Sequence, residues 1–415
     1  MSTVGSPLTG FRVLDLTRIL SGPYASMLLA DLGAEVVKVE RPGSGDDTRS
    51  WGPPFLDGMS TYFAAVNRGK RSVAIDLGAK RGRILLRELA AHVDVVIENF
   101  RPGVMERLGM DYESLAERNP KLIYASITGF GSHGPKAAEA GTEVIVEAET
   151  GLMAMMGTPD GPPVRFGVAM VDIATGVAMV SGVLAAALER TRTGKGRALE
   201  FPLYAMAFSC LATVIASASI DPASQGGRWG SGHPSIVPYS AFEASDGYVV
   251  LGAINELMWD RLCEAFGIEH LRTDERTATN DARVRNRELV EVAIAEVIAP
   301  LSTAAVVERL KEAGVLVAPV REAARGVEDP QVAELGLIDE IDGVRFARSP
   351  LSQFNPGALA PAQQLGEDST AVLGEYLALD DGELAELLDA GVVHAAEAGE
   401  PAEPPAPGAA QAAST

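Results

Sequence analysis

From Phe11 to Thr128 the chain repeats one unit: a short apolar strand, a helix, and another strand. Phe11-Arg-Val-Leu-Asp-Leu-Thr17 reads as a strand, and the loop Arg18–Pro23 leads into a helix over Tyr24–Leu32 that Gly33 stops. Glu35-Val-Val-Lys-Val-Glu40 is the next strand. Strands over Ser72–Leu77, Val93–Glu98 and Leu122–Thr128, with helices over Arg81–His92 and Tyr112–Arg118, continue the pattern. A strand returned by a helical crossover to a parallel neighbour buries both faces of the sheet, so near-continuous apolar runs such as Val93–Ile97 belong in its centre. The predicted fold is therefore α/β, with a Rossmann-like parallel sheet in a large domain. The dinucleotide fingerprint is missing. No G-x-G-x-x-G follows the first strand, and Gly43-Ser-Gly45 after the second lacks the third glycine, so a nicotinamide cofactor is not inferred.

Beyond this stretch the pattern changes. Tyr239-Ser-Ala-Phe242, the Asp246-Gly247 turn and Tyr248-Val-Val-Leu251 signal a hairpin, followed by helices over Glu256–Phe266, Arg285–Ile298 and Thr303–Ala313. Residues 226–325 are read as a smaller α/β domain, set between 1–225 and a segment 326–394 that completes the large domain. Residues 395–415 are almost entirely Ala, Pro, Gly and Glu and are expected to be a disordered tail.

Cys210 and Cys263 lie in apolar helical contexts with no metal or redox spacing, and are expected to be small buried thiols. No basic-then-apolar leader opens the chain and no unbroken apolar run reaches the length of a membrane span, so a cytoplasmic protein without membrane or metal partners is expected. A net charge of −21 argues against nucleic acid. That charge is uneven: residues 1–110 hold 14 Lys and Arg against 12 Asp and Glu. A basic first quarter in an acidic chain suits a site for an anion there.

Asp172 is the leading candidate for chemistry. The turn Gly157-Thr-Pro-Asp-Gly-Pro-Pro163 leads into an extended apolar segment Val164–Val171, and after Asp172 a long helix of small and apolar residues runs to Glu189 and ends by Gly194-Lys-Gly196. A carboxylate at the mouth of such a helix meets the positive end of its dipole, which favours ionisation. Ionised and partly desolvated beside backbone N–H groups, it is equipped to attack a carbonyl. An Asp in that place also serves as an ordinary helix N-cap.

Four loops at strand ends carry cations and amides: Leu20-Ser21-Gly22-Pro23, Lys38-Val-Glu-Arg-Pro-Gly43, Asn67-Arg-Gly-Lys-Arg-Ser72 and Glu98-Asn-Phe-Arg-Pro-Gly103. Together they suit a phosphorylated adenine nucleotide. With Arg12-Val-Leu-Asp-Leu-Thr17, Gly33-Ala-Glu-Val-Val-Lys-Val-Glu40, Asp160-Gly-Pro-Pro163 with Asp172, Thr193-Gly-Lys-Gly196, His233-Pro234 with Pro238-Tyr239, and Gly314-Val-Leu-Val-Ala-Pro-Val320, the chain resembles the class III (CaiB/BaiF) CoA-transferases over about residues 1–390. The resemblance implies coenzyme A as substrate, an acyl-CoA donor, a carboxylic acid acceptor, and an interlocked homodimer. It implies that Asp172 attacks the thioester, passing through an aspartyl mixed anhydride and an aspartyl–CoA thioester. It sets Leu20 and Ser21 beside the pantetheine, Arg41 at the adenosine, Lys70, Arg71 and Arg107 at phosphates, and Asn67, Asn99, Phe100, Arg101, Thr142 and Glu143 along the cofactor.

Two departures bear on substrate. Formyl-CoA transferases carry Gln where this chain has Leu20, which cannot donate that hydrogen bond, so a larger or more apolar acyl group than formate or oxalate is expected. At Ala140-Gly-Thr-Glu143, related racemases have a catalytic His that Thr142 cannot replace as a base. A 2-methylacyl-CoA racemase and a CoA-ester-binding protein without turnover remain the alternative readings. Glu143 is a candidate partner of Asp172 or a loop anchor. The run Gly226–Gly232 is a lid or a linker, His233 orders the turn before Pro234, and Trp51, Trp229 and Met258 line an acyl pocket or belong to the core.

Overall fold

The computed structural model describes residues 5–221, 227–357 and 360–396. Gly226 and all but the first two residues of the expected tail lie outside them. Two compact units result: one draws on Met1–Glu147, Val168–Cys210 and Gln331–Thr415, the other on Ala148–Gly167 and Leu211–Pro330. Residues 148–167 and 211–221 thus go with the smaller unit, ahead of the expected boundary at 226. The apolar run Tyr204–Ala218, predicted as one helix, forms two, Leu203–Cys210 and Ala212–Ala218, and the division falls at the break between them.

The large unit holds a seven-stranded sheet of β1 (Arg12–Asp15), β2 (Glu35–Glu40), β3 (Arg71–Ile75), β4 (Val95–Glu98), β5 (Ile123–Thr128), β6 (Arg197–Pro202) and β7 (Val393–His394), in the order 7-3-2-1-4-5-6. All neighbours are parallel except β7 against β3. Val13 of β1 lies in register with Val36 of β2 and Val95 of β4, the apolar centre that the sequence runs predict.

Side chains alternate between the faces. Leu14, Val37, Val39, Val73, Ile75 and Val96 point to one, where they pack with Leu85, Leu86 and Leu89 of the helix Lys80–Ala91. Val372, Leu373, Leu384 and Leu387, from the helices Ser369–Leu377 and Asp381–Asp389, close the same core, which is how the C-terminal segment joins this unit. Each such side chain contributes roughly 1.5–3 kcal/mol by leaving water. The other face is covered by the helices Ser21–Asp31 and Met170–Thr193.

Both helices start earlier than predicted. Pro23 falls in the first turn of Ser21–Asp31, where its missing N–H costs nothing. The segment before Asp172 forms no strand; helix geometry begins at Met170 and puts Asp172 inside the first turn. At 24 residues that helix is long and apolar enough by length and composition to cross a membrane, although Asp172, Thr175 and Ser181 interrupt its apolar run. Its contacts with the helix Ser21–Asp31 and strands β5 and β6 are those of a core helix.

The smaller unit has the predicted hairpin, Tyr239–Ala244 and Gly247–Gly252, extended by an antiparallel third strand, Leu316–Pro319. Trp259, Leu262, Val290, Ile294, Ile298, Val306 and Leu310 fill its core. Cys263 is buried there, and burial pushes its thiol up to about 12, whereas Cys210, at the last position of its helix, is exposed rather than buried as expected.

In the large unit Arg68 and Asp31 form a buried ion pair, with the second guanidinium nitrogen 3.0 Å from Asp31 Oδ2. Ser349 Oγ donates to the same oxygen at 2.6 Å, tying the C-terminal segment to the helix Ser21–Asp31. Removing one partner of a buried pair strands the other charge, a loss of about 3–5 kcal/mol. Chemical denaturation should therefore show Arg68→Ala losing stability on that scale, while Arg81→Ala, an exposed pair with Glu386, stays within about 0.5 kcal/mol of wild type.

Candidate active site

The strand order reverses between β1 and β4, so the chain after β1 and the chain after β4 diverge and leave a crevice at their carboxyl ends, where ligands bind in open α/β sheets. What holds the first of these loops is polar and buried. Asp15, the last residue of β1, is fully buried; it accepts from Thr17 N–H at 2.9 Å and Ser26 Oγ at 2.6 Å, and pairs with Lys70 Nζ at 3.1 Å. Burial opposes its ionisation, but Lys70 and Lys38 hold its carboxyl well below the usual aspartate range. Lys38 Nζ donates to Thr17 O at 2.7 Å and to Asp46 Oδ2 at 3.0 Å.

Asp46 Oδ1 in turn accepts the N–H of Ile19, whose φ is +73°. A β-branched residue in the left-handed region is strained by about 1–3 kcal/mol and persists only where its surroundings impose it. Asn99, just after β4, clamps the same loop: its Oδ1 accepts from Arg18 N at 2.9 Å and its Nδ2 donates to Arg18 O at 2.7 Å. The loop is a rigid bracket.

That bracket delivers Leu20 and Ser21 to the start of the helix Ser21–Asp31. Leu20 is buried and adds no side-chain cap, so the first N–H groups of this helix stay available to a ligand. Gly22 packs against Thr17, where a Cβ would come within 2.3 Å of the Thr17 side chain. Ser21 Oγ donates to Asp172 Oδ1. The long helix reaches that close because Gly176, one turn on, has no side chain; a Cβ there would stand 2.8 Å from Ser21 O. Asp172 therefore lies at the N-terminal ends of two helices, its own and that of Ser21, both of which favour a negative charge. It is partly buried, and burial raises its pKa while the Ser21 bond draws it back. Glu143 Oε1 accepts Val171 N–H at 2.9 Å, so this carboxylate caps the helix that carries Asp172.

A cleft of about 250 Å³ opens over Asp172, lined among others by Arg18, Leu20, Asn99, Phe100, Arg101, Thr142 and Leu203. A second, of about 200 Å³, is lined by Arg41, Asp46, Leu77 and Gly78, and shares Arg18 and Phe100 with the first. Arg18 lies over the Phe100 ring at 5.5 Å and pairs with Asp47. Arg41 is exposed and bonds to Ser44 Oγ at 2.8 Å; Arg101 and Arg107 are exposed and make no side-chain hydrogen bond or ion pair among the described residues.

Three other sequence candidates are placed differently. Asn67 and Lys70 are buried; Lys70 Nζ meets Asp15, Pro23 O at 2.9 Å and Asn67 Oδ1 at 2.7 Å, and so offers no free donor to a phosphate here. Arg71 is held by Glu35 and Glu375 at 2.8 Å each, with Asp368 at 3.7 Å. In the smaller unit Gly230 N bonds Gly157 O at 3.0 Å, Trp229 lies under the Arg287 guanidinium, and His233 Nδ1 accepts from Ser235 N–H. Trp51 is exposed beside Tyr62, and Met258 packs on the smaller unit's core.

Sequence reasoning passed over Arg18, Ile19 and the buried network of Asp15, Lys38 and Asp46. A signal was present. Charges embedded in Val-Leu-Asp-Leu and Val-Val-Lys-Val, in strands buried on both faces, have to be paired.

The large unit is thus a mainly parallel α/β sheet with a crevice at its carboxyl edge and a carboxylate, Asp172, at the N-terminal ends of two helices. Comparison with known proteins narrows this. The profile of CoA-transferase family III matches residues 8–368. Succinyl-CoA:glutarate CoA-transferase of Mus musculus is 41% identical over 400 residues, covering 93% of this chain and 90% of that one. Succinate–glutarate CoA-transferase of Agrobacterium fabrum is 39% identical over 385 residues, covering 89% and 95%. The crystal structure of a CAIB/BAIF family protein from Brucella suis superposes with a TM-score of 0.81 at 39% identity, over 90% of this chain and all of that one. The chain belongs to CoA-transferase family III: it is an enzyme that moves CoA between an acyl-CoA and a carboxylic acid.

Glu98, at the end of β4, anchors the crevice's second loop by accepting Phe100 N–H at 2.7 Å. Burial raises its pKa to about 7, with Glu106 and Glu200 adding to the effect against the pull of the Phe100 amide and Tyr124. The folded chain therefore takes up a proton here between the ordinary glutamate value of 4.5 and about 7, and folding loses stability as pH rises through that window. Thermal melts of Glu98→Gln, which stays neutral while keeping an acceptor, should match wild type near pH 5 and exceed it at pH 8.

Proposed function

We propose that Asp172 is the covalent nucleophile of this CoA-transferase. The observation that carries the reading is its position: a partly buried carboxylate at two helix N-termini, held by one hydroxyl, in a cleft that runs past Arg18 and Phe100. Its oxygen attacks the thioester carbonyl and CoA leaves as the thiolate. The thiolate then attacks the aspartyl carbon, expelling the donor acid and leaving an aspartyl–CoA thioester. The acceptor carboxylate attacks that carbon, and the released thiolate takes the acceptor's acyl group, restoring Asp172. The first amides of the helix Ser21–Asp31 face the carbonyl oxygens as charge develops on them.

Arg41, Arg101 and Arg107 are the exposed cations left for the phosphates, with Phe100 against the adenine or pantetheine. Leu20 in the cleft supports an acyl chain longer than formyl, and the relatives' names support a succinyl-class donor with a five-carbon dicarboxylate acceptor. Thr142 supplies no base for α-proton removal, which counts against a racemase.

The strand order 3-2-1-4-5-6 supports the Rossmann-like reading of the large unit. A homodimer is supported by the long helix, whose exposed Met170, Val177 and Leu188 fall on one face at helical spacing. The free cysteines fit a reducing cytoplasm.

Mass spectrometry of the whole protein mixed with succinyl-CoA tests the nucleophile. Wild type should carry a hydroxylamine-labile adduct mapped to Asp172, and Asp172→Ala should carry none, with activity down by about 10³-fold or more. An adduct that persists in Asp172→Ala contradicts the reading.

A further inference from the structure

Asp172 makes one side-chain hydrogen bond among the described residues, and it engages Oδ1 alone: the donor is Ser21 Oγ. Oδ2 has no such partner there. Ser21 is 4% exposed and the first residue of its helix, and its backbone carbonyl lies so close to Gly176 that no side chain fits there. The hydroxyl is thus buried where the two helices approach. A carboxylate with one oxygen bonded and the other free is a nucleophile whose attacking atom has been chosen.

We propose that the Ser21 hydroxyl directs Asp172 to attack through Oδ2 and then serves as an oxyanion donor to Oδ1 each time the aspartyl carbon is itself attacked. The inference rests on Asp172 being the nucleophile. In the first step the Oδ2 lone pair forms a bond to the acyl carbon, the carbon–sulfur bond breaks, and the electron pair leaves on the CoA thiolate. Oδ1 is now the carbonyl oxygen of the aspartyl half of the anhydride, still facing Ser21. When the thiolate attacks Cγ, the carbonyl electron pair moves to Oδ1, where Ser21 O–H meets the charge. Collapse breaks the Cγ–Oδ2 bond, and Oδ2 departs in the donor acid. Attack of the acceptor carboxylate on the aspartyl–CoA thioester places charge on Oδ1 again, with the thiolate as leaving group. No proton has to be transferred in any of these steps, which suits a serine whose hydroxyl donates to Asp172 and to no other group among the described residues.

The same hydrogen bond acts on the resting enzyme. Burial works to protonate Asp172 and the Ser21 bond opposes it. The other charged groups around the cleft are Arg18, Arg101, Glu139 and Glu143. Arg18 is paired with Asp47 and Glu143 caps the helix at Val171, and none of the four bonds to Asp172. Without Ser21, Asp172 should ionise at higher pH.

The test uses the full-length enzyme with succinyl-CoA and glutarate. Ser21→Ala should lower kcat by about 10²-fold, the usual effect of deleting one oxyanion donor. The KM for succinyl-CoA should stay within about twofold, and the acid limb of the kcat/KM profile should move to higher pH. In single turnover the succinyl–Asp172 anhydride should replace the CoA–Asp172 thioester as the main trapped adduct, because attack on Cγ is the step that has lost its donor. Ser21→Thr, which retains the hydroxyl, should recover most of the rate, and thermal melts of both variants report folding independently. Ser21→Ala with wild-type kcat, an unmoved acid limb and an unchanged adduct overturns the role given to Ser21 while leaving Asp172 in place. No Asp172 adduct in wild type overturns both.

Discussion

The loop that carries Ser21 takes its shape because two lysines and two aspartates are buried together beneath it. Asp15 with Lys70, and Lys38 with Asp46, are taken almost wholly out of water: Asp15 closes β1, Lys38 lies within β2, Lys70 directly precedes β3 and Asp46 lies in the loop after β2. Such groups are costly to bury unless every donor and acceptor is met, and here the unmet valences are met by the loop. Thr17 supplies a carbonyl to Lys38 and an N–H to Asp15, and Ile19 supplies its N–H to Asp46. The network thus holds Ile19 in a backbone conformation that its own side chain disfavours. The site's geometry is charged against the ionic core of the sheet.

From that bracket the rest follows by contact. Ser21 begins a helix where the loop leaves it, Gly176 lets the long helix come close, and Asp172 arrives with one oxygen engaged. Glu143 closes the arrangement by capping the Asp172 helix from the side. Asp172 is held by one neutral hydroxyl and two helix ends, and among the described residues no cation pairs with it. This suits a carboxylate that must be ionised yet reactive, since a salt bridge to Arg or Lys would stabilise its charge at the expense of attack.

Much of the sheet could be read from periodicity. The strand Glu35–Glu40 and the helix Glu256–Phe266 fall where the pattern puts them, because apolar alternation and flanking glycines mark their ends. Elements whose limits depend on tertiary contacts were less legible. The helix carrying Asp172 starts two residues before it, since Glu143, distant in sequence, caps its first turn. The break at Leu211 inside an apolar run leaves no mark in composition. Lys70 and Asn67 read as surface donors because their motif is basic and polar; only the fold shows Asp15 waiting beneath them. The hydroxyl of Ser21 was invisible as a partner of Asp172 because 151 residues separate them.

The covalent route makes a demand that no direct transfer of CoA between acids would make. On the proposed route, Asp172 gives one carboxyl oxygen to the departing donor acid in each full turnover and receives one from the acceptor. Glutarate labelled with oxygen-18 in both carboxylates, turned over with succinyl-CoA and followed by peptide mass spectrometry, measures this directly. The account predicts that heavy oxygen enters the enzyme at Asp172 during turnover and does not enter when succinyl-CoA is left out. Full conversion to labelled glutaryl-CoA with no heavy oxygen at Asp172 would contradict it.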